Sequence, residues 1–284
     1  MLCERVDKLL DACNEWNLSI GVAKSFWGLK KVDYLGHRIF AGGMEARPKD
    51  LSSLVDLPFP TTLRSMQSFL GSLNYYSRFI EDFAIYASIL YELREIDFFE
   101  AIGQAKTRLE SDDHNQRDKW TRATKAFVVL KDKIVNAPIL THFDPDKRPV
   151  VILYPSKWAI SAALVQEHEG VYKPVTFTSR TLKLNEINYG IVDKEVLVLL
   201  RVLDVCCTQL VTRSIKVLTP SMDSEFLRAA RTFGKVGCIA LKLDAGNRKV
   251  YETGRRDLRR DRRKHHAPEK CGLDLDVYRA QEAT

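Results

Sequence analysis

Side chains whose types and spacing could do chemistry are thinly grouped in this 284-residue chain. Six cysteines (Cys3, Cys13, Cys206, Cys207, Cys238, Cys271) form no Cys-x-x-Cys pair. His265-His266 and Cys271 lack the second pair that a four-ligand zinc site wants. Asp144 and Asp146, in Phe143-Asp144-Pro145-Asp146-Lys147, are explained by turn chemistry. Glu195, in Asp193-Lys194-Glu195-Val196-Leu197, reads on its own as an ordinary solvated helix glutamate. Basic residues do cluster: between Arg248 and Lys270, ten Lys/Arg stand against four Asp/Glu, a net of +6 out of the formal +7. A fold that grips phosphates along one face would spread that charge more evenly. The run suits RNA binding or nuclear import, and an out-of-frame extension would look the same.

The elements that must position these residues follow from periodicity. Leu2, Val6, Leu9, Leu10, Cys13 and Trp16 predict an amphipathic helix. Residues 32–39 are strand-like and end at Gly42-Gly43. Thr61-Thr62 begins a long helix marked by Leu63, Met66, Phe69, Leu70, Leu73, Tyr76 and Ile80. Gly71 inside that helix should cost about 1 kcal/mol relative to Ala unless it allows a close packing contact. Residues 104–120 are polar, and a further helix runs over about 121–135, stopped by Asn136-Ala137-Pro138. The period then changes from helical to alternating. Strands are expected at 150–154, 160–166 and 171–179, with Glu169-Gly170 as a hairpin turn. A helix over 185–210, a strand at 215–219 and a weak helix near Asp223 complete a β-β-β-α-β-α order. That order implies a mixed sheet with helices against it, an α/β (α+β) arrangement.

Hydrophobic residues make up 45% of the chain, enough for one large core or two ordinary ones. No apolar run approaches the length of a membrane span. The Met-Leu-Cys-Glu-Arg start lacks signal-peptide character, so a cytoplasmic or nuclear protein with reduced cysteines is expected.

Several spaced words carry a family resemblance. They are Leu18 and Lys24, Tyr34-Leu35-Gly36-His37, Pro58-x-Pro60, Leu63-Arg64-Ser65-Met66-Gln67-Ser68-Phe69-Leu70-Gly71, Tyr75-Tyr76-x-Arg78-Phe79-Ile80, Ala126-Phe127-x-x-Leu130-Lys131 and Ala137-Pro138-x-Leu140. In this order they resemble the region after the polymerase palm in Ty3/gypsy-type retrotransposon reverse transcriptases. Residues 139–227, with Trp158 to Gln166, Thr178 to Leu182 and Asn188-Tyr189, resemble the same family's ribonuclease H domain. The implied architecture is a truncated reverse-transcriptase palm/thumb remnant over 1–103 and an incomplete mixed-sheet ribonuclease H-like domain over 121–234; composition alone reads a polar linker over 104–120 and, beyond the resemblance, a basic, disordered tail over 235–284.

The resemblance also implies functions and what is missing from them. Family polymerases hold two metal ions on aspartates, two of them in a Tyr-x-Asp-Asp turn that would lie before residue 1. Lys24 sits where the family keeps a lysine near the triphosphate, and Tyr34, Gly36 and His37 match a primer-gripping turn. The implied partners are an RNA–DNA hybrid or other nucleic acid, and the palm and fingers carried upstream in the parent polyprotein. Without those neighbours, Trp16, Phe26, Trp27 and Tyr34 should be left exposed. Ribonuclease H chemistry needs four carboxylates on two Mg²⁺ ions, and Mg²⁺ demands hard oxygen ligands. Glu195 matches the helix glutamate. The first aspartate's place after Tyr154 is taken by Pro155-Ser156-Lys157-Trp158, and the third acid's place after Thr219 by Pro220-Ser221. Asp193 and Asp223 are the candidate substitutes, and Lys157 would bring a positive charge where cations should sit. The expected outcome is an inert pol-derived chain. An active Mg²⁺-dependent ribonuclease H and a domesticated interaction module are the alternatives. Tyr75, Tyr76 and Phe79 are expected to pack rather than to stack on bases.

Overall fold

The computed structural model describes residues 2–99, 114–211 and 213–219. The weak helix near Asp223, Asp223 itself, most of the polar stretch from 104 and the basic segment 235–284 lie outside the described residues. Helix α1 spans Leu2–Glu15, as its periodicity predicts. A small antiparallel sheet follows, with β1 Lys31–Tyr34, β2 His37–Phe40 and β3 Gly43–Ala46 in the order β1-β2-β3. The single strand expected at 32–39 is thus a hairpin. Its two-residue loop, Leu35-Gly36, has both residues in the left-handed region (φ +45° and +69°), the conformation that turns a right-twisted ribbon back on itself.

Helix α2 (Pro48–Val55) starts with proline at its first turn, where a missing N–H costs nothing. Helix α3 (Leu63–Tyr75) begins where the sequence says. Thr62 Oγ1 accepts from the Ser65 N–H and Ser65 Oγ accepts from the Thr62 N–H, each at 3.2 Å. It ends at Tyr75 rather than near Ile80, because the chain tightens into a 3-10 turn at Ser77–Phe79 and Asp82 takes a left-handed conformation. Helix α4 (Phe83–Tyr91) follows. It buries Phe83, Ala84, Ala87, Ser88, Ile89 and Leu90, so it has no polar face and gave no amphipathic signal. Helix α5 spans His114–Val135 and starts seven residues before the predicted 121. Trp120 explains part of that extension: its ring packs edge-on against Phe59 and Phe98, while Lys119 pairs with buried Asp97 at 2.7 Å.

Strands β4 (Pro149–Pro155), β5 (Ala159–His168) and β6 (Val171–Thr181) form the predicted meander, turned at Glu169-Gly170. The helix expected over 185–210 is broken at Gly190 into a short turn at Leu184–Ile187 and helix α6, Ile191–Val205, followed by a turn at Cys207–Leu210. Strand β7 (Lys216–Leu218) then pairs parallel to β4, giving the order β6-β5-β4-β7.

Alternation along β4 sets the layers. Val150, Ile152 and Tyr154 join the core that contains α3, α4 and α5. Val151 and Leu153 join the opposite core, under α6. The helices of residues 48–91 therefore share one core with the sheet of residues 149–218. A strap at 139–142 ties the two sheets together. Met44 and Leu140 exchange N–H···O bonds of 2.7 and 2.9 Å, His142 Nε2 donates to the Phe40 carbonyl at 2.8 Å, and the Thr141 N–H donates to the Pro174 carbonyl of β6 at 2.7 Å. Gly43 (φ +145°) makes this approach possible, since a Cβ there would run into the Leu140 carbonyl.

Candidate functional site

Parallel pairing brings the C-terminal ends of β4 and β7 to one edge of the sheet, and the first turn of α6 reaches the same edge. This is where the resemblance expects carboxylates to converge. At the end of β4, Ser156 closes a tight turn. Its hydroxyl donates to the Ala159 carbonyl at 2.8 Å, and the Ala159 N–H reaches Ser156 Oγ at 3.1 Å. Thr219, at the end of β7, is buried.

Glu195 is fully buried, which corrects its reading as a solvated glutamate. The physical reason is its phase: it shares a helix stripe with buried Leu199 and Val202, against the sheet. Lys194 is also buried, in phase with Val198 and Val202, and its Nζ donates to the Lys157 carbonyl at 3.2 Å. Burial pushes its ammonium pKa below the ordinary lysine value. Lys194 thus brings a buried cationic group to this edge, and exposed Lys157 gives it a backbone carbonyl. A charged residue in register with an apolar stripe is the signal the sequence holds for this burial. Asp193 is exposed in the first turn of α6.

These donors do not fit a two-Mg²⁺ site. Among the described residues no group of three His, Cys, Asp or Glu side chains is placed to hold a metal, and the described positions offer a proline, a hydroxyl already bonded within its turn, one carboxylate and an ammonium. Nearby, Glu186 serves the scaffold. Arg180 grips it through two bonds of 2.7 and 2.9 Å and the Lys183 N–H adds a third at 2.8 Å. The Arg180 bond foremost holds the Glu186 carboxyl at about 2.

The second candidate region is the Tyr34–His37 turn. His37 stacks on Tyr75 at 5.2 Å between ring centroids and also touches the rings of Tyr76 and Phe79. The Tyr75 hydroxyl donates to the Leu35 carbonyl, and the Gly36 carbonyl accepts from the Arg47 N–H at 3.1 Å. Tyr76 donates to Asp50 Oδ2 at 3.0 Å, and Asp50 is held by two bonds from Arg47. Burial, aided by the bond to Asp50, raises the Tyr76 phenol to about 12. Burial, then the Arg78 charge, lowers the His37 imidazole. Tyr76 and Phe79 are buried packing residues, as expected, whereas Tyr75 is half exposed. Lys24 lies in an exposed 3-10 turn, Val22–Lys24, and Tyr34 is exposed. Trp16, Phe26 and Trp27 are exposed with it. Of the two adjacent cysteines, Cys206 is buried, its thiol raised by burial to about 11, and Cys207 is exposed.

Residues 120–217 match the model of the RNase H-like domain found in reverse transcriptase. The chain is 27% identical over 274 residues to the retrovirus-related Pol polyprotein from transposon opus of Drosophila melanogaster, covering 95% of this chain and 26% of that protein. It is 27% identical over 200 residues to the transposon Tf2-3 polyprotein of Schizosaccharomyces pombe, covering 70% of this chain and 14% of that one. Among solved structures, the foamy viral protease-reverse transcriptase in complex with RNA/DNA hybrid superposes on 96% of this chain with a TM-score of 0.63, at 16% identity and over 35% of its own length. The fold is mixed α/β, and its segment 120–217 is similar to the RNase H-like domain of reverse transcriptases. The homologues of the chain are retrotransposon Pol polyproteins, of which it spans about a quarter or less.

Proposed function

We propose that this chain is a degenerate retrotransposon-derived reverse transcriptase/ribonuclease H-like fragment that does not catalyse phosphodiester cleavage and binds nucleic acid at most weakly. One observation carries the reading: the sheet edge beside Glu195 holds a buried lysine ammonium and a bonded serine turn where two-metal cleavage needs converging carboxylates. A cation there raises the cost of seating a divalent ion, and proline and serine supply no anionic ligand. Residual binding is assigned to Lys24, Tyr34, Gly36 and His37. Lys24 and Tyr34 are exposed, whereas the Gly36 backbone and the His37 ring are engaged by Arg47 and the aromatic cluster. The related fold of the foamy viral enzyme, solved with an RNA/DNA hybrid, supports that ligand class.

The test is Mg²⁺-dependent cleavage of a labelled RNA–DNA hybrid by the full chain, with Glu195→Gln as the paired control. No product from either protein is the expected result. Product from the unaltered chain that vanishes in Glu195→Gln would mean a working site assembled with Asp193 or Asp223, and the reading would be wrong.

A further inference from the structure

The small sheet has one open side among the described residues. Strand β3 is bridged by Leu140, whereas β1 pairs only with β2, and all four β1 residues are exposed. The two-residue loop makes Tyr34 and His37 a hydrogen-bonded pair, so Tyr34 and Val32 turn their backbone groups toward β2. Lys31 and Asp33 then turn their N–H and C=O groups outward. Such a row is a template for another strand.

We infer that a second copy of this chain pairs antiparallel along β1, about a two-fold axis at Val32. The order of charges along the strand favours this register, with one oxygen of Asp33 also held by Arg38 of its own sheet at 2.9 Å. An axis at Val32 sets Lys31 opposite Asp33 of the second copy, twice, with each pair exchanging the outward backbone bonds. Moving the axis to Lys31 or to Asp33 would set like charges opposite each other, which destabilises a cross-strand pair. The two Val32 side chains then meet as a non-hydrogen-bonded pair, the closer of the two antiparallel spacings. They lie on the face that holds His37, where Val32 is 43%, Tyr34 60% and Tyr75 51% exposed, so apolar surface flanks the seam. The contact is self-complementary and closes at two copies. It does not depend on whether the chain is catalytic.

Sedimentation equilibrium of the full chain across micromolar concentrations should give twice the chain mass. Asp33→Lys alone and Lys31→Asp alone should each sediment as monomers, since each sets like charges opposite. An equal mixture of the two variants should regain the dimer, because the lysine introduced in one variant then meets the aspartate introduced in the other; circular dichroism of each variant accompanies the series. Val32→Cys should form a disulfide-linked dimer under mild oxidation at a rate well above that of the unaltered chain, which itself carries exposed cysteines. A monomer at every concentration, a dimer indifferent to Asp33→Lys, or a mixture no better than its components would each overturn the proposal.

Discussion

At the Tyr34–His37 turn the expected residue types are present and the fold has closed around them. At the sheet edge beside Glu195 the fold is present and the expected residue types are not. The two regions are held by different kinds of interaction. The turn is fixed by many small contributions: a left-handed glycine, three aromatic rings and the Arg47–Asp50–Tyr76 chain of bonds. Each is individually replaceable, and together they also hold the core of the helices. A metal site rests instead on a few carboxylates that repel one another when no ion is bound. Serine, proline or a lysine bonded to a carbonyl at such positions brings no such repulsion, and β4, β7 and α6 pack here around one shared apolar core. Scaffold and chemistry are therefore separable, and only the first is secured by packing.

The largest way to break the contrast is to attack the scaffold of the small sheet. Gly43→Val would force a side chain into the Leu140 backbone at a φ that disfavours it, and should lower stability by about 3 kcal/mol, read by urea unfolding. A loss confined to the small sheet, with the four-stranded sheet unfolding at its usual midpoint, would show that the two are less coupled than the strap implies.

A smaller effect comes from pH. His37 has its pKa lowered by burial and then by Arg78, and His168 by burial and then by Lys147 and Lys173. Both favour the neutral ring, so their contribution is complete above the ordinary histidine value of about 6.5 and is lost as pH falls through the depressed folded values. His37→Phe, which keeps an aromatic ring on Tyr75, should flatten the fall in urea midpoint between about pH 7 and pH 5; an unchanged slope would assign that fall to His168 and the large sheet. Glu186 acts lower still, because stability present above its ordinary range is lost as pH falls toward about 2.

The smallest change goes the other way. Gly71 is exposed in α3 and a Cβ there would meet nothing within 4 Å, so Gly71→Ala should stabilise by about 1 kcal/mol in the same unfolding assay. No gain would mean that α3 is not limited by its own propensity.

Much of the fold was legible because it is locally encoded. Alternation gave β4 to β6, Glu169-Gly170 gave their turn, and Thr62 gave the start of α3. Helix α4 was illegible because a helix that is apolar on all sides has no period to read. The break at Gly190 was masked by apolar spacing that continues across it. At the candidate site, word order marks where the resemblance expects acids. The burial of Lys194 and Glu195 depended on the phase of α6 against the sheet, which fixes which residues of a helix face inward. The strap at 139–142 has irregular backbone and pairs with residues far away in sequence, so no local pattern announces it.

That strap also sets an order of events during synthesis. Met44 emerges from the ribosome about a hundred residues before its bonding partner Leu140. At roughly 5–20 residues per second the hairpin and its exposed aromatic neighbours wait several seconds, unanchored, for the segment that pins them. Trp16, Phe26, Trp27 and Tyr34 remain in water after the strap has closed, so its arrival pins the hairpin backbone without covering those rings, and a chaperone that shields apolar surface would find a substrate on the ribosome and in the finished fold alike.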